Sequence, residues 1–346
     1  ETYGNYPGAA AILKCVYEGL LVPFETGLRI EQRYFAQILQ TREAEAMSRS
    51  MFISLQELNK GARRPKDVPA RKLKKVGVLG AGFMGAGIAY VTAKAGIPVV
   101  LIDRDQETAD RGKAHSARLM DDLIKKGRAT EAEKEKLLSL ITATPDYAAL
   151  EGADLVIEAV FEDSDVKKEV IQKAEAFLKS SSIFASNTST IPIKSLAKNS
   201  KRPGNFIGIH FFSPVERMML VEIIQGRKTG EKALAVAMDY ARAIRKTPIV
   251  VNDTRGFYVN RCVLRYMQEA YSMLAEGVPA PMIENAARMA GMPVGPLALT
   301  DETAIDLAQK IMRQTVRDLG EKAVDPRHKE LIDTMADKHG RLGRKN

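Results

Sequence analysis

The chain has 346 residues, with 45% hydrophobic, 27% charged and 6% aromatic. That balance excludes wholesale disorder and collagen-like order and fits two or three domains at roughly 100–200 residues each. A net charge of +9 (52 Lys and Arg against 43 Asp and Glu) predicts an anionic partner, and only two cysteines, Cys15 and Cys262, exclude a disulfide framework or an unaided zinc site.

Residues 1–62 read as helical, with apolar spacing of three to four over Ala10–Leu21 and Leu28–Leu39. The basic stretch 61–75, broken by Pro65 and Pro69, reads as a linker. It lacks the interleaved aromatics of a nucleic-acid patch, so no nucleic acid is expected. From Lys74 short apolar runs alternate with helical patterns: 76–79, 99–102, 155–157, 183–185, 206–212, 220–224 and 249–251. An amphipathic helix over Val166–Leu178, with Val170, Ile171, Ala174 and Phe177 on one stripe, is typical of what lies between. Such alternation predicts βαβ units and a parallel sheet covered on both faces. After Asp253 three helices are expected, over 258–276, 281–290 and 301–319, ended by Gly277, Gly291 and Gly320. The fold class is therefore α/β: a Rossmann-type doubly wound sheet followed by an all-helical domain and preceded by a short helical arm. The expected divisions are 1–70, 71–252 and 253–346. No apolar run approaches the ~18 residues of a membrane span. The two cysteines read as buried reduced thiols.

The strongest motif is Gly80-Ala-Gly82-Phe83-Met84-Gly85, which follows a predicted strand and opens a predicted helix. Asp103 ends the next strand. That context makes a dinucleotide fingerprint. Gly80 permits the tight turn, Gly82 lets backbone approach a pyrophosphate at the helix N-terminus, and Gly85 allows close helix–strand packing. Asp103 would accept from the ribose hydroxyls and repel a 2′-phosphate, which favours NAD over NADP. FAD would satisfy the same fingerprint.

Of four histidines, only His210 sits inside an apolar strand. Glu222 lies in Leu220-Val-Glu-Ile-Ile, where an acid should not be buried unpaired. Two short neighbouring strands could present both at one end of the sheet. A His–Glu dyad is a ready general base. The hydroxyl and amide run Ser186-Asn187-Thr-Ser189-Thr follows another strand, where open α/β sheets bind ligands; the alternative is a capped turn into a helix beginning near Ile191-Pro192. Asn260 opens the helical domain.

Together these residues resemble the 3-hydroxyacyl-CoA dehydrogenases of fatty-acid β-oxidation. The matching strings are GAGFMGAGIA (80–89), EAVFED (158–163), FASNTST (184–190), GIHFFSPVERM (208–218), LVEII (220–224), GFYVNR (256–261) and MPVGPLAL (292–299). The resemblance is to the form found in multifunctional fatty-acid oxidation enzymes. In that form, residues 1–70 resemble the last helices of an enoyl-CoA hydratase (crotonase) domain and the linker after it. The closing GRLGRKN resembles a point inside a longer protein, so the chain reads as a fragment. The resemblance implies oxidation of (3S)-3-hydroxyacyl-CoA with NAD, His210 as base and Glu222 as its partner. Ser189 and Asn260 would bind the substrate oxygen. Gly80, Gly82, Phe83, Met84, Gly85, Asp103, Val160, Glu162, Lys167, Asn187 and Ser189 would bind the cofactor. Where many relatives have Asn, this chain has Ser213, as the multifunctional forms often do. The implied partners are an acyl-CoA, a thiolase subunit in the full-length form and a homodimer through the helical domain. The implied place is the bacterial cytoplasm, with mitochondrion and peroxisome left open. Two rival readings stay open: an inert NAD-binding fragment and another β-hydroxyacid dehydrogenase.

Overall fold

The computed structural model describes residues 2–343. They fall into two compact units, one of Ser54–Asn260 and one of the described residues of Glu1–Ile53 and Arg261–Asn346. The terminal Arg344-Lys-Asn of the closing string lies outside the described residues.

In chain order the first helices are α1 (Pro7–Gly19), α2 (Phe24–Leu39), α3 (Arg42–Met47) and α4 (Leu55–Asn59). A single eight-stranded sheet organises the unit from Ser54 onward. Its strands are β1 (Val76–Leu79), β2 (Val99–Ile102), β3 (Ile141–Thr144), β4 (Leu155–Glu158), β5 (Ile183–Ser186), β6 (Phe206–Phe211), β7 (Leu220–Gln225) and β8 (Thr247–Asn252). The spatial order is β3-β2-β1-β4-β5-β6-β7-β8. Helices α5 (Phe83–Lys94), α6 (Gln106–Lys125), α7 (Glu131–Ser139), α8 (Ser164–Glu175), α9 (Ile193–Leu196) and α10 (Glu231–Ala243) complete it. Strands β1, β2, β4 and β5 are buried at every position, as sheets covered on both faces require. Alternation sorts their side chains into two cores. Val76, Val78, Leu101 and Ile157 pack with Ile88, Tyr90 and Tyr240. Leu79, Val100, Ile102 and Val156 pack with Leu150, Ile171 and Ile193.

Three differences from expectation have physical causes. The pairing of β6 with β7 is antiparallel, while the other pairs are parallel. The connector between Phe211 and Leu220 is too short for a parallel crossover, which needs about a dozen residues or more. Strand β3 was absent from the apolar runs because Ile141-Thr-Ala-Thr is short, half polar and partly exposed at the sheet edge. The linker is pinned rather than free: Arg64 donates to both carboxylate oxygens of Asp239 at 2.7 and 2.9 Å, and to the carbonyl of Val68.

In the other unit, α1 and α2 form a hairpin in which Glu18 accepts from Arg33 and Tyr34. The later helices are α11 (Val259–Ala275), α12 (Ala280–Met289), α13 (Pro296–Thr303), α14 (Ile305–Leu319) and α15 (Pro326–Asp333). The expected helix 301–319 is split at Ala304, whose φ is 81°. Met267, Tyr271, Ile305, Ile332 and Ala336 form a small core. His328, which the sequence placed in a charged tail, is buried against Tyr271 and bonded to the Ser272 hydroxyl at 2.8 Å. The expected burial of the thiols is overturned: Cys15 is half-exposed and Cys262 exposed. No helix among the described residues is long and apolar enough to cross a membrane.

Candidate active site

The C-terminal ends of the strands carry the chemistry. At the end of β1, Gly80 adopts φ +95°, and a Cβ there would come within 2.7 Å of the Ala159 carbonyl oxygen. A Cβ on Gly85 would overlap the Gly80 carbonyl oxygen, so the helix can approach the turn only as glycine. Gly82 caps α5 without a side-chain hydrogen bond, and a Cβ built on it meets nothing within 4 Å. The turn therefore presents open backbone at a helix N-terminus, which is the arrangement that receives a pyrophosphate. Phe83 is exposed and Met84 half-buried. A cavity of about 270 Å³ beside the turn is lined by Ala81, Gly82, Phe83, Arg111, His115 and Arg118, among others. Asp103 leaves β2 with its carboxylate accepting the Ala81 and Arg104 amides at 2.6 and 2.7 Å. It is thus tied to the glycine turn at the position a ribose would occupy. These residues fit an NAD.

Val160, Phe161 and Glu162 follow β4. Oε1 of Glu162 accepts the Thr188 hydroxyl at 2.6 Å and the Ser189 and Thr190 amides at 3.0 Å each. Burial pushes the Glu162 carboxyl up, but the Lys167 ammonium and these donors outweigh it and hold it below the ordinary carboxylate value. Lys167 is almost wholly buried, with its Nζ 2.5 Å from Glu158 Oε1 and 3.2 Å from Glu162 Oε2. Asn187 is also buried, its side-chain oxygen accepting the Phe211 amide at 2.8 Å. The structure thus buries Lys167 and Asn187 inside the protein's own network, while Asp103 is half-buried and Gly82 exposed.

His210 and Glu222 are direct cross-strand partners on β6 and β7. His210 Nδ1 lies 2.7 Å from Glu222 Oε2. The other carboxylate oxygen accepts the Tyr258 and Val259 amides at 3.0 and 2.9 Å. Burial raises the Glu222 carboxyl, but the histidine and the two amides prevail and keep it ionised below the usual range. His210 is 4% exposed, and its ring lies 4.6 Å from that of Phe212 and 5.8 Å from that of Phe257, centroid to centroid. Its Nε2 lies 3.2 Å from the Ser189 hydroxyl. Asn260 donates its side-chain amide to the Ser189 carbonyl at 3.2 Å. His210, Glu222, Ser189 and Asn260 therefore form one connected group.

Sequence reasoning missed Glu158. It is fully buried at the end of β4 and accepts from Lys167, from the Val160 amide and from the Ser186 hydroxyl. The signal was present: an acid closing the apolar run Leu-Val-Ile, the same anomaly that marked Glu222. Among the described residues no group of His, Cys, Asp and Glu could hold a metal ion.

Residues 75–254 match the model of the 3-hydroxyacyl-CoA dehydrogenase NAD binding domain, and 256–346 that of the 3-hydroxyacyl-CoA dehydrogenase C-terminal domain. The cofactor is thus NAD, and the FAD alternative falls away. The fatty acid oxidation complex subunit alpha of Shewanella amazonensis is 41% identical over all of this chain and 48% of its own length. That of Shewanella sp. (strain W3-18-1) is 41% identical over 94% of this chain and 46% of its own. The chain spans about half the length of these relatives. The crystal structure of (S)-3-hydroxybutyryl-CoA dehydrogenase from Ralstonia eutropha superposes with a TM-score of 0.73 and 36% identity, covering 79% of this chain and 96% of that one. A connected His–Glu–Ser–Asn group and a glycine cradle, on a chain with both domain models and these relatives, lead to one statement: this chain belongs to the 3-hydroxyacyl-CoA dehydrogenase family.

Proposed function

We propose that the chain oxidises (3S)-3-hydroxyacyl-CoA to 3-oxoacyl-CoA with NAD, His210 serving as general base. The observation that carries this is the His210–Glu222 hydrogen bond at 2.7 Å. An ionised Glu222 accepting from Nδ1–H fixes the tautomer and leaves the Nε2 lone pair as the base. Nε2 takes the substrate hydroxyl proton, and the resulting imidazolium is stabilised by the carboxylate beside it. Glu222 keeps its charge through the step, because two backbone amides and the ring hold its proton affinity down. Ser189 and Asn260 orient the substrate oxygen toward Nε2. The glycine turn and Asp103 hold the cofactor, with the Val160–Glu162 segment, Lys167 and Asn187 shaping its nicotinamide end. When bound, NAD supplies the hydride acceptor for C3.

On this reading 71–252 serve the cofactor and 253–346 the acyl chain, while 1–70 correspond to closing helices of a crotonase-like domain and its linker. A thiolase partner, a homodimer and a place in a bacterial cytoplasm go with the same proposal. The Shewanella relatives support the bacterial part and lend nothing to an organelle location. The test is NADH formation from (S)-3-hydroxybutyryl-CoA and NAD by the purified chain. Turnover with the CoA ester and none with the free acid is expected. NADH binding without turnover would favour the inert-fragment alternative.

A further inference from the structure

We propose that Glu158 is a positioning residue for this reaction: it holds the 188–190 loop so that the Ser189 hydroxyl meets His210. The proposal rests on the dehydrogenase reading above. The residue is 0% exposed at the end of an apolar strand, so its partners must account for it. One donor is local, the Val160 amide at 3.1 Å; the two side-chain partners, Lys167 and Ser186, lead to one place. By the first route, Lys167 Nζ bridges Glu158 Oε1 at 2.5 Å and Glu162 Oε2 at 3.2 Å, and Glu162 in turn gathers Thr188, Ser189 and Thr190. By the second, the Ser186 hydroxyl donates to Glu158 Oε2 at 2.7 Å and accepts the Thr188 amide at 3.2 Å. Both routes end on the loop whose Ser189 hydroxyl lies 3.2 Å from His210 Nε2.

The side chain is not needed to hold the strands together. Glu158 and Ser186 are already partners in the β4–β5 ladder, and the Asn187 amide bonds the Glu158 carbonyl at 2.8 Å. Nor does stability alone explain a buried ion pair, since apolar replacements of such pairs are often neutral or stabilising. Two carboxylates sharing one ammonium make a rigid bracket. Its value is geometric: it fixes the hydroxyl against the base before substrate arrives.

The experiment uses Glu158→Gln, Ser186→Ala, Ser189→Ala and the double variant Glu158→Gln/Ser189→Ala. Ring ¹⁵N spectra follow the His210 Nε2 resonance at fixed pH, which is tractable because the chain has only four histidines. Glu158→Gln should move that resonance toward its position in Ser189→Ala, and Ser186→Ala should move it less, in the same direction. The double variant should move it no further than Ser189→Ala alone. In turnover, Glu158→Gln should lower kcat about 10- to 100-fold while leaving the KM for acyl-CoA nearly unchanged. An Nε2 resonance at its wild-type position in Glu158→Gln and Ser186→Ala would overturn the proposal. So would a double variant showing the sum of both single effects. If Glu158→Gln does not fold, Ser186→Ala decides by the same resonance. Absence of turnover in the wild-type chain would sink the dehydrogenase reading instead, and the resonances would still report whether Glu158 sets the contact.

Discussion

The eight-stranded sheet and the α1–α2 hairpin both carry leucine, isoleucine and valine at regular spacing, and they dispose of them in opposite ways. In β1, β2, β4 and β5 every position is buried. In α1 to α4 no residue is buried, and Leu13, Leu20 and Phe24 are more than 70% exposed. Polar groups follow the same division. The sheet unit buries Glu158, Lys167, His210 and Glu222, each with its partner, whereas the hairpin's Glu18, Arg33 and Tyr34 meet near solvent. Apolar periodicity thus states that a helix or strand forms; it does not state what covers it.

Four substitutions would sharpen or break this contrast. The largest effect is expected from His210→Ala, which should lower kcat by about 10²–10⁴-fold while NADH affinity, measured by fluorescence titration, survives. A near-wild-type kcat would remove the base. Next is Gly85→Ala, where the new methyl has no room against the Gly80 carbonyl. Urea unfolding should show a loss of about 1–3 kcal/mol or more; an unchanged midpoint would mean the cradle is softer than its packing implies.

His328→Phe comes third, and its signature is a slope. Burial lowers the folded value of this histidine below 6.5. Its unfolded form therefore binds a proton first on acidification, and the stability contribution is full above the unfolded value and lost as pH falls through the folded one. Unfolding curves between pH 7 and 5 should be flatter in the phenylalanine variant. An identical slope would assign the pH dependence to another group. The smallest effect belongs to Leu13→Gln on the exposed face of α1, within about 0.5 kcal/mol of wild type by thermal unfolding. A clear destabilisation there would show that the face is covered in solution.

Much of the site was legible because its residues violate local pattern. His210 and Glu222 are polar interruptions of apolar strands, and the short connector between them forces the strands to be neighbours. The glycine turn was legible because Gly80, Gly82 and Gly85 each answer a separate steric demand. Lys167 was not legible as a buried cation: on a helix as polar as Ser164–Glu175, a lysine looks like solvent-facing surface until β4 supplies Glu158. Ala304 was invisible too, since its positive φ splits a helix whose apolar spacing runs through unbroken. The reversal at β7 needed only a count of connector residues against the length of a crossover.

The antiparallel β6–β7 pair has a consequence for how damage to the sheet reaches the site. Val76 must find Leu155 to join β1 to β4, so the cofactor cradle depends on contacts far apart in the chain. His210 and Glu222 are only 12 residues apart. Closing so short a loop costs little entropy. The proton-handling pair is thus far more local in the chain than the strand pairing that builds the cradle. Lesions that weaken the pairing of β1 with β4 should therefore disturb the cradle more than the contact between His210 and Glu222.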